Sequence, residues 1–239
     1  MIGNYRVVNV FCMQNVTFSL SKKMWGGSLL VAAGIYLFFV LYIFLYDQGF
    51  TRFSFAKTFA GTANILLACS LALSSFGYFF NFLDNKIAYR KYLGLLGYFC
   101  ALMYTLLVVL IRPERYFYGF WNNVWSSDIL LGSTAMAIFT AMALISNNRA
   151  MLWIGPKRWR LLLRFGYLAF FLLVLRAILN QSVLVGADTV PEMWIRYLSH
   201  PETLPPPRLL FSCVAMSVIF LRLGVAFDKW YRKPVIPLA

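Results

Sequence analysis

Residues 159–179, WRLLLRFGYLAFFLLVLRAIL, decide how the rest of this chain is interpreted. The stretch has the length of a bilayer-spanning helix, which needs about 20 predominantly apolar residues. It carries Arg164 near one end and Arg176 near the other. An arginine at the centre of a spanning helix costs about 2.5–3.5 kcal/mol on insertion scales. Each of the two must therefore reach the headgroups or bind a group inside the protein.

The composition of the whole chain favours a membrane protein. Of its 239 residues, 61% are hydrophobic and only 13% are charged. A soluble domain cannot bury so much apolar side chain, whereas a bilayer accommodates it. The net charge of +14 does not indicate nucleic-acid binding, because the basic residues lie mostly in short loops beside apolar runs, where they act as topology signals.

Six apolar segments predict an all-α integral membrane protein built as a six-helix bundle. Their approximate bounds are residues 27–46, 59–82, 92–111, 129–145, 159–179 and 209–227. Residues 1–26 are too interrupted for a span and are interpreted as an interfacial segment, and residues 228–239 form a short basic tail. Lysine and arginine concentrate in the N-terminus, in the loops 84–91 and 146–160, and in the tail, which predicts cytoplasmic termini. The expected location is a bacterial inner membrane.

Small residues suggest how the helices pack. The second segment is rich in alanine, serine and glycine, which allow close helix approach and predict a central position in the bundle. Asn64 in the same segment either bonds across helices or packs between them. In the fourth segment Ser133, Ala137 and Ala141 recur every four residues and predict a stripe of helix contact.

The sequence offers few groups for catalysis or metal binding. Its one histidine, His200, lies in the loop 180–207, so two histidines of one chain cannot hold a haem iron between them. His200, Glu192 and Glu202 match no metal-ligand spacing, and the spans hold no acid to activate a nucleophile. We therefore predict no catalytic residue and no metal site. The four cysteines, none spaced as CxxC, are interpreted as small apolar residues: Cys12, Cys69, Cys100 and Cys213.

Arg176 and Arg222 each lie about one turn from the end of a predicted helix. Either they snorkel to the headgroups, or they contact an anionic lipid headgroup, a propionate-bearing cofactor or a carboxylate of a partner. Arg164 is expected to snorkel. Trp121 and Trp125 belong to an aromatic loop, residues 112–128, that is typical of a membrane interface. That loop is also a candidate for contact with a ligand or lipid.

Two motifs resemble those of a known family. The sequence RKYLGLLGYF, residues 90–99, resembles the RRxLGLxAF start of a core helix in the ferric reductase-like transmembrane domain family of haem-binding membrane subunits. WRLLLRFGYL, residues 159–168, resembles the WxxLHRLxYL start of another core helix. The resemblance spans roughly residues 55–180 and implies six helices with cytoplasmic termini.

The histidines that bind haem in this family are replaced here. The positions that match them carry Tyr104, Leu163 and Arg176. The resemblance therefore implies an inherited fold without the haem pair or its transmembrane electron transfer. We expect no cofactor and no enzymatic activity of the chain itself.

The leading hypothesis is a haem-less membrane protein that serves as an accessory subunit of a membrane complex or holds a lipid, quinone or pigment. Its expected partners are membrane lipids and other membrane subunits. One alternative is an electron-transfer subunit that binds haem b through unusual ligands or through a histidine of a partner. A second alternative is a transporter that uses Arg176 and Arg222 as anion contacts.

Overall fold

The computed structural model describes residues 4–80, 88–119, 121, 124–146, 150, 153–179, 190–199 and 204–231, without the side chains of residues 4–21, 115, 156, 157, 160, 177, 190, 196 and 229. All regular elements in these ranges are helical. They are α1 (Asn4–Asp47), α2 (Arg52–Phe79), α3 (Tyr89–Ile111), a π-helical turn (Glu114–Tyr118), α4 (Ser127–Ile145), α5 (Pro156–Leu162), α6 (Phe165–Leu179), α7 (Val190–Ser199) and α8 (Pro207–Tyr231).

Five helices are long and apolar enough to cross a membrane. They are the Lys22–Asp47 part of α1, α2, α3, α4 and the Pro207–Asp228 part of α8. Each coincides with one of the six predicted spans. The described chain is thus all-α and has the helices of an integral membrane protein, as the sequence predicts.

The fifth predicted span is not one continuous helix. A turn at Leu163 and Arg164 divides residues 159–179 between α5 and the 15-residue α6. At the turn the amide of Arg164 donates to the carbonyl oxygen of Leu161 at 2.9 Å, a three-residue spacing that tightens the helix locally. Gly166 follows at once, and a Cβ there would lie 2.8 Å from Cε of Met142. The turn and this glycine bring α6 close against α4.

The first helix is longer than the predicted span. It begins at Asn4 and continues without a break to Asp47, over 44 residues. Residues 4–26 are therefore helical and continuous with the first span instead of forming a separate segment. Their position at the membrane interface stays a prediction.

The predicted central position of α2 is confirmed. In the most apolar part of α2, 56% of the residues are buried, against 22% or less in the corresponding parts of the other four long helices. Its neighbours are α1, α3 and α8. A Cβ on Gly97 of α3 would lie 2.9 Å from Cγ of Leu67, and a Cβ on Gly61 would lie 2.6 Å from Cζ of Phe211 in α8. Glycine therefore sets both of these close helix contacts.

Two further packing predictions have opposite outcomes. Asn64 does bond across helices, since its side-chain amide donates to the carbonyl oxygen of Phe211 at 3.0 Å. The predicted contact stripe of α4 is wrong, because Ser133, Ala137 and Ala141 are all exposed. The buried face of α4 instead carries Ala135 and Phe139. A four-residue period identifies one face of a helix but not the direction in which that face points.

The helix ends meet at two ends of the bundle. At the first, which we call the basic end, the hydroxyl of Tyr78 donates to Asp228 at 2.7 Å, and the indole of Trp159 donates to the carbonyl oxygen of Ile145 at 2.9 Å. At the opposite end, Lys57 of α2 pairs with Asp47 of α1 at 2.7 Å. The basic end includes the described parts of the loops that the sequence predicts to be cytoplasmic.

Candidate ligand-binding cavities

Two cavities lie among α2, α3, α4, α6 and α8. The larger has a volume of about 540 Å³ and opens toward the basic end. The smaller has a volume of about 220 Å³ and lies toward the opposite end. Leu67 of α2 and Phe139 of α4 line both cavities. These two side chains therefore form the partition between the cavities.

The larger cavity combines an apolar lining with several cationic groups. Its apolar walls include Leu67, Leu71, Phe139 and Met142. Its charged lining residues are all basic among the residues that the structure describes: Arg90, Lys91, Arg164 and Arg222. A pocket that is mostly apolar, with a few convergent polar groups, is the usual form of a small-molecule site.

Arg222 is held in place by a tyrosine. Its guanidinium carbon lies 5.0 Å from the centre of the Tyr167 ring, within the range of a cation–π interaction. The hydroxyl of Tyr167 donates to the carbonyl oxygen of Leu71 at 2.9 Å, which fixes the ring against α2. Arg222 is therefore positioned at the cavity by three helices, α8, α6 and α2.

Arg90 lies at the start of α3 beside the same cavity. Its carbonyl oxygen accepts a hydrogen bond from the hydroxyl of Ser70 at 2.8 Å, which ties this turn to α2. Arg90 and Arg222 line the same cavity, so two positive charges meet at one site. Like charges held together in a partly buried site are stabilised by an anion between them.

The smaller cavity is lined by Tyr104, Arg176 and Arg208. Arg176 is bound from within the protein, because its Nε donates to Oδ1 of Asp128 at 2.8 Å. The other carboxylate oxygen of Asp128 accepts from the hydroxyl of Tyr116 at 3.3 Å. Arg176 therefore has a carboxylate partner within its own chain, which neither interpretation of this residue named, and its contact with headgroups or a ligand stays a prediction.

The sequence interpretation missed Asp128. It assigned this residue to the loop 112–128 and found no acid in the spans, whereas Asp128 lies in the first turn of α4 and is 5% exposed. A carboxylate is favourable in the first turn because the amino end of a helix carries partial positive charge. Gly132, one turn later, leaves room for the guanidinium of Arg176, since a Cβ there would lie 3.1 Å from it.

The predicted site residues fall into three places. Tyr104 and Arg176 line the smaller cavity, and Leu163 and Arg222 line the larger one. Trp121 and Trp125 line neither cavity and are 82% and 84% exposed. Their contact with lipid or ligand stays a prediction. His200 lies outside the described residues.

The residues at the matching positions do not fit the haem pair of the ferric reductase-like family. Leu163 has no donor atom for iron, and Tyr104 lies in the other cavity. The described residues also contain no group of three or more histidine, cysteine, aspartate or glutamate side chains that could hold a metal ion. What the larger cavity offers is positive charge beside an apolar wall.

Comparison with known proteins adds no family to this description. The chain matches no protein-family model and no curated protein.

Proposed function

We propose that this chain is a haem-less, six-helix membrane protein of ferric reductase-like fold that holds an amphipathic molecule between its helices as an accessory subunit of a membrane complex. The observation that carries the proposal is the larger cavity, where basic side chains lie beside apolar walls. Leu163, at a position where the family has a haem histidine, lines this same cavity. The proposal therefore keeps the fold that the two motifs imply and replaces haem with an amphipathic molecule.

The chemistry of the lining supports this exchange of ligand. A porphyrin needs axial donors from facing helices, and Leu163 supplies none. An amphipathic molecule needs only an apolar surface and a few groups that match its polar end. The cavity has both, in Leu71 and Met142 and in the guanidinium groups of Arg90 and Arg222. The role as an accessory subunit rests on the resemblance to membrane subunits.

Absorbance spectroscopy on protein purified in a mild detergent tests the proposal. We expect no Soret band, and we expect mass spectrometry of the same sample to detect a co-purified amphipathic molecule together with partner subunits. A strong Soret band would contradict the proposal. If that band were then lost in Tyr104→Phe or His200→Ala, the alternative of an electron-transfer subunit with unusual haem ligands would replace it.

A further inference from the structure

We propose that the larger cavity binds the phosphate group of an anionic membrane lipid and that Arg90 and Arg222 contact this phosphate. The inference deepens the proposed function by naming the class of ligand at one site. It rests on the membrane placement in that proposal and does not depend on the ferric reductase-like ancestry.

Charge is the first argument for a phosphate. The described lining residues carry four basic side chains and no acidic one. Arg90 and Arg222 line this cavity together, and like charges at one site repel each other, so a bound anion offsets an unfavourable interaction and adds a favourable one. Arginine binds phosphate oxygens through pairs of parallel N–H donors, and the contact with the Tyr167 ring limits the orientations that Arg222 can adopt.

The shape of the cavity favours a lipid over a free phosphate ion. A volume of about 540 Å³ lies within the range of roughly 300–1,000 Å³ found for small-molecule pockets and exceeds the size of a single phosphate group. The remaining space lies against Leu67, Leu71, Phe139 and Met142. The surface that these side chains present to the cavity matches the glycerol carbons and the first part of the acyl chains, whereas an inorganic ion would make no apolar contact with it.

The position of the cavity agrees with the depth of lipid headgroups. Arg90 lies in the first turn of α3, and Arg222 lies in the last turns of α8. Arg164 at the same cavity is exposed. If this end is cytoplasmic, as predicted, it meets the leaflet that carries most anionic lipid, and basic pockets between membrane helices at that level bind anionic headgroups.

Native mass spectrometry of the full chain in nanodiscs provides the test. The discs contain phosphatidylcholine with an equal amount of phosphatidylglycerol or phosphatidic acid. The measured quantity is the lipid that remains bound to the protein after the protein is released from the discs. We expect the anionic lipid to be retained over phosphatidylcholine, and Arg222→Gln or Arg90→Gln to lower that retention about tenfold, which is the effect of losing one charge-assisted hydrogen bond.

Arg158→Gln is the matched control, because Arg158 is an exposed arginine of α5 that does not line the cavity. It should leave the retention unchanged. Arg222→Lys should keep part of the lipid retention, since the charge remains without the paired donors. This variant replaces Arg222→Gln in the test if Arg222→Gln fails to fold. Equal losses in Arg158→Gln and Arg222→Gln, or no preference for anionic lipid, would overturn the inference.

Two further readouts distinguish a lipid from a free phosphate and the lipid site from the proposed function. Millimolar inorganic phosphate added to the discs should not displace the lipid, and displacement would show that a free phosphate is the ligand instead of a lipid. The absorbance spectrum of the same samples tests the proposed function alone. A Soret band with lipid preference intact would overturn the haem-less proposal only, and a haem-free sample without lipid preference would overturn the lipid site only.

Discussion

Arg176 of α6 donates from Nε to Oδ1 of Asp128 in the first turn of α4 at 2.8 Å. The carboxylate side chain is 6% exposed and the arginine side chain 22% exposed. Breaking a buried ion pair by removing one partner is costly, because the remaining charge stays without compensation. The pair therefore links two packed helices and makes each of its members dependent on the other.

Asp128→Asn should destabilise the protein by about 3 kcal/mol, because it leaves the charge of Arg176 in a largely buried place. The free energy of unfolding in detergent, measured with a denaturant, is the readout. Glu114→Gln is the control, since Glu114 is a nearby exposed acid and its loss should change stability little. Equal effects of the two substitutions would mean that the pair contributes nothing.

Gly97→Ala should lower the free energy of unfolding by roughly 1–3 kcal/mol through overpacking. The added Cβ would lie 2.9 Å from Cγ and 3.0 Å from the backbone nitrogen of Leu67, so α2 and α3 must move apart. Gly34→Ala is the matched control, because nothing lies within 4 Å of a Cβ there. If Gly97→Ala were as stable as this control, the close contact of α2 with α3 would be disproved.

Asn64→Leu should cost about 1 kcal/mol, the usual net contribution of one hydrogen bond, by removing the bond to Phe211 that connects α2 with α8. The temperature of half-unfolding in detergent is a suitable measurement. Thr134→Val serves as the control, because the exposed hydroxyl of Thr134 bonds within its own helix, to the carbonyl oxygen of Leu130 at 2.7 Å. A neutral Asn64→Leu would speak against the interhelical bond.

The predicted orientation is tested by labelling with a membrane-impermeant maleimide in intact cells. In a variant whose four native cysteines are replaced by alanine, Arg158→Cys should be labelled only after the membrane is opened, and Arg52→Cys should be labelled at once. Both positions are exposed and lie at opposite ends of the bundle. The reverse labelling pattern would invert the topology and place the larger cavity on the other side of the membrane.

Sequence patterns predict the long helices well, because apolar length alone marks a span. Runs of small residues also placed α2 at the centre, and Asn64 in its middle was recognised as a candidate bond donor. The turn at Leu163 and Arg164 was not predictable, since it contains neither proline nor glycine and lies inside a stretch with the length and apolar content of a single span. Its position follows from the packing of Gly166 against Met142, which is a contact between distant parts of the chain.

The candidate sites were predictable only in part. Arg176 and Arg222 were recognised because a charge inside an apolar helix requires an explanation. Arg90 was assigned to a basic loop and interpreted as a topology signal, although it lies in the first turn of α3 and lines the same cavity as Arg222. Asp128 was missed because it comes at a helix start, where the sequence resembles a loop. Both omissions concern residues whose role depends on a partner far away in the sequence.

The shortness of α6 has a consequence for the surrounding bilayer. At a rise of 1.5 Å per residue, its 15 residues span about 22 Å, whereas the hydrocarbon core is about 30 Å thick. α6 alone does not cross this core, and a span that is too short is accommodated by local thinning of the bilayer. The bilayer beside α6 should therefore be thinned near Arg164, and lipids with shorter acyl chains should gather along this side of the protein.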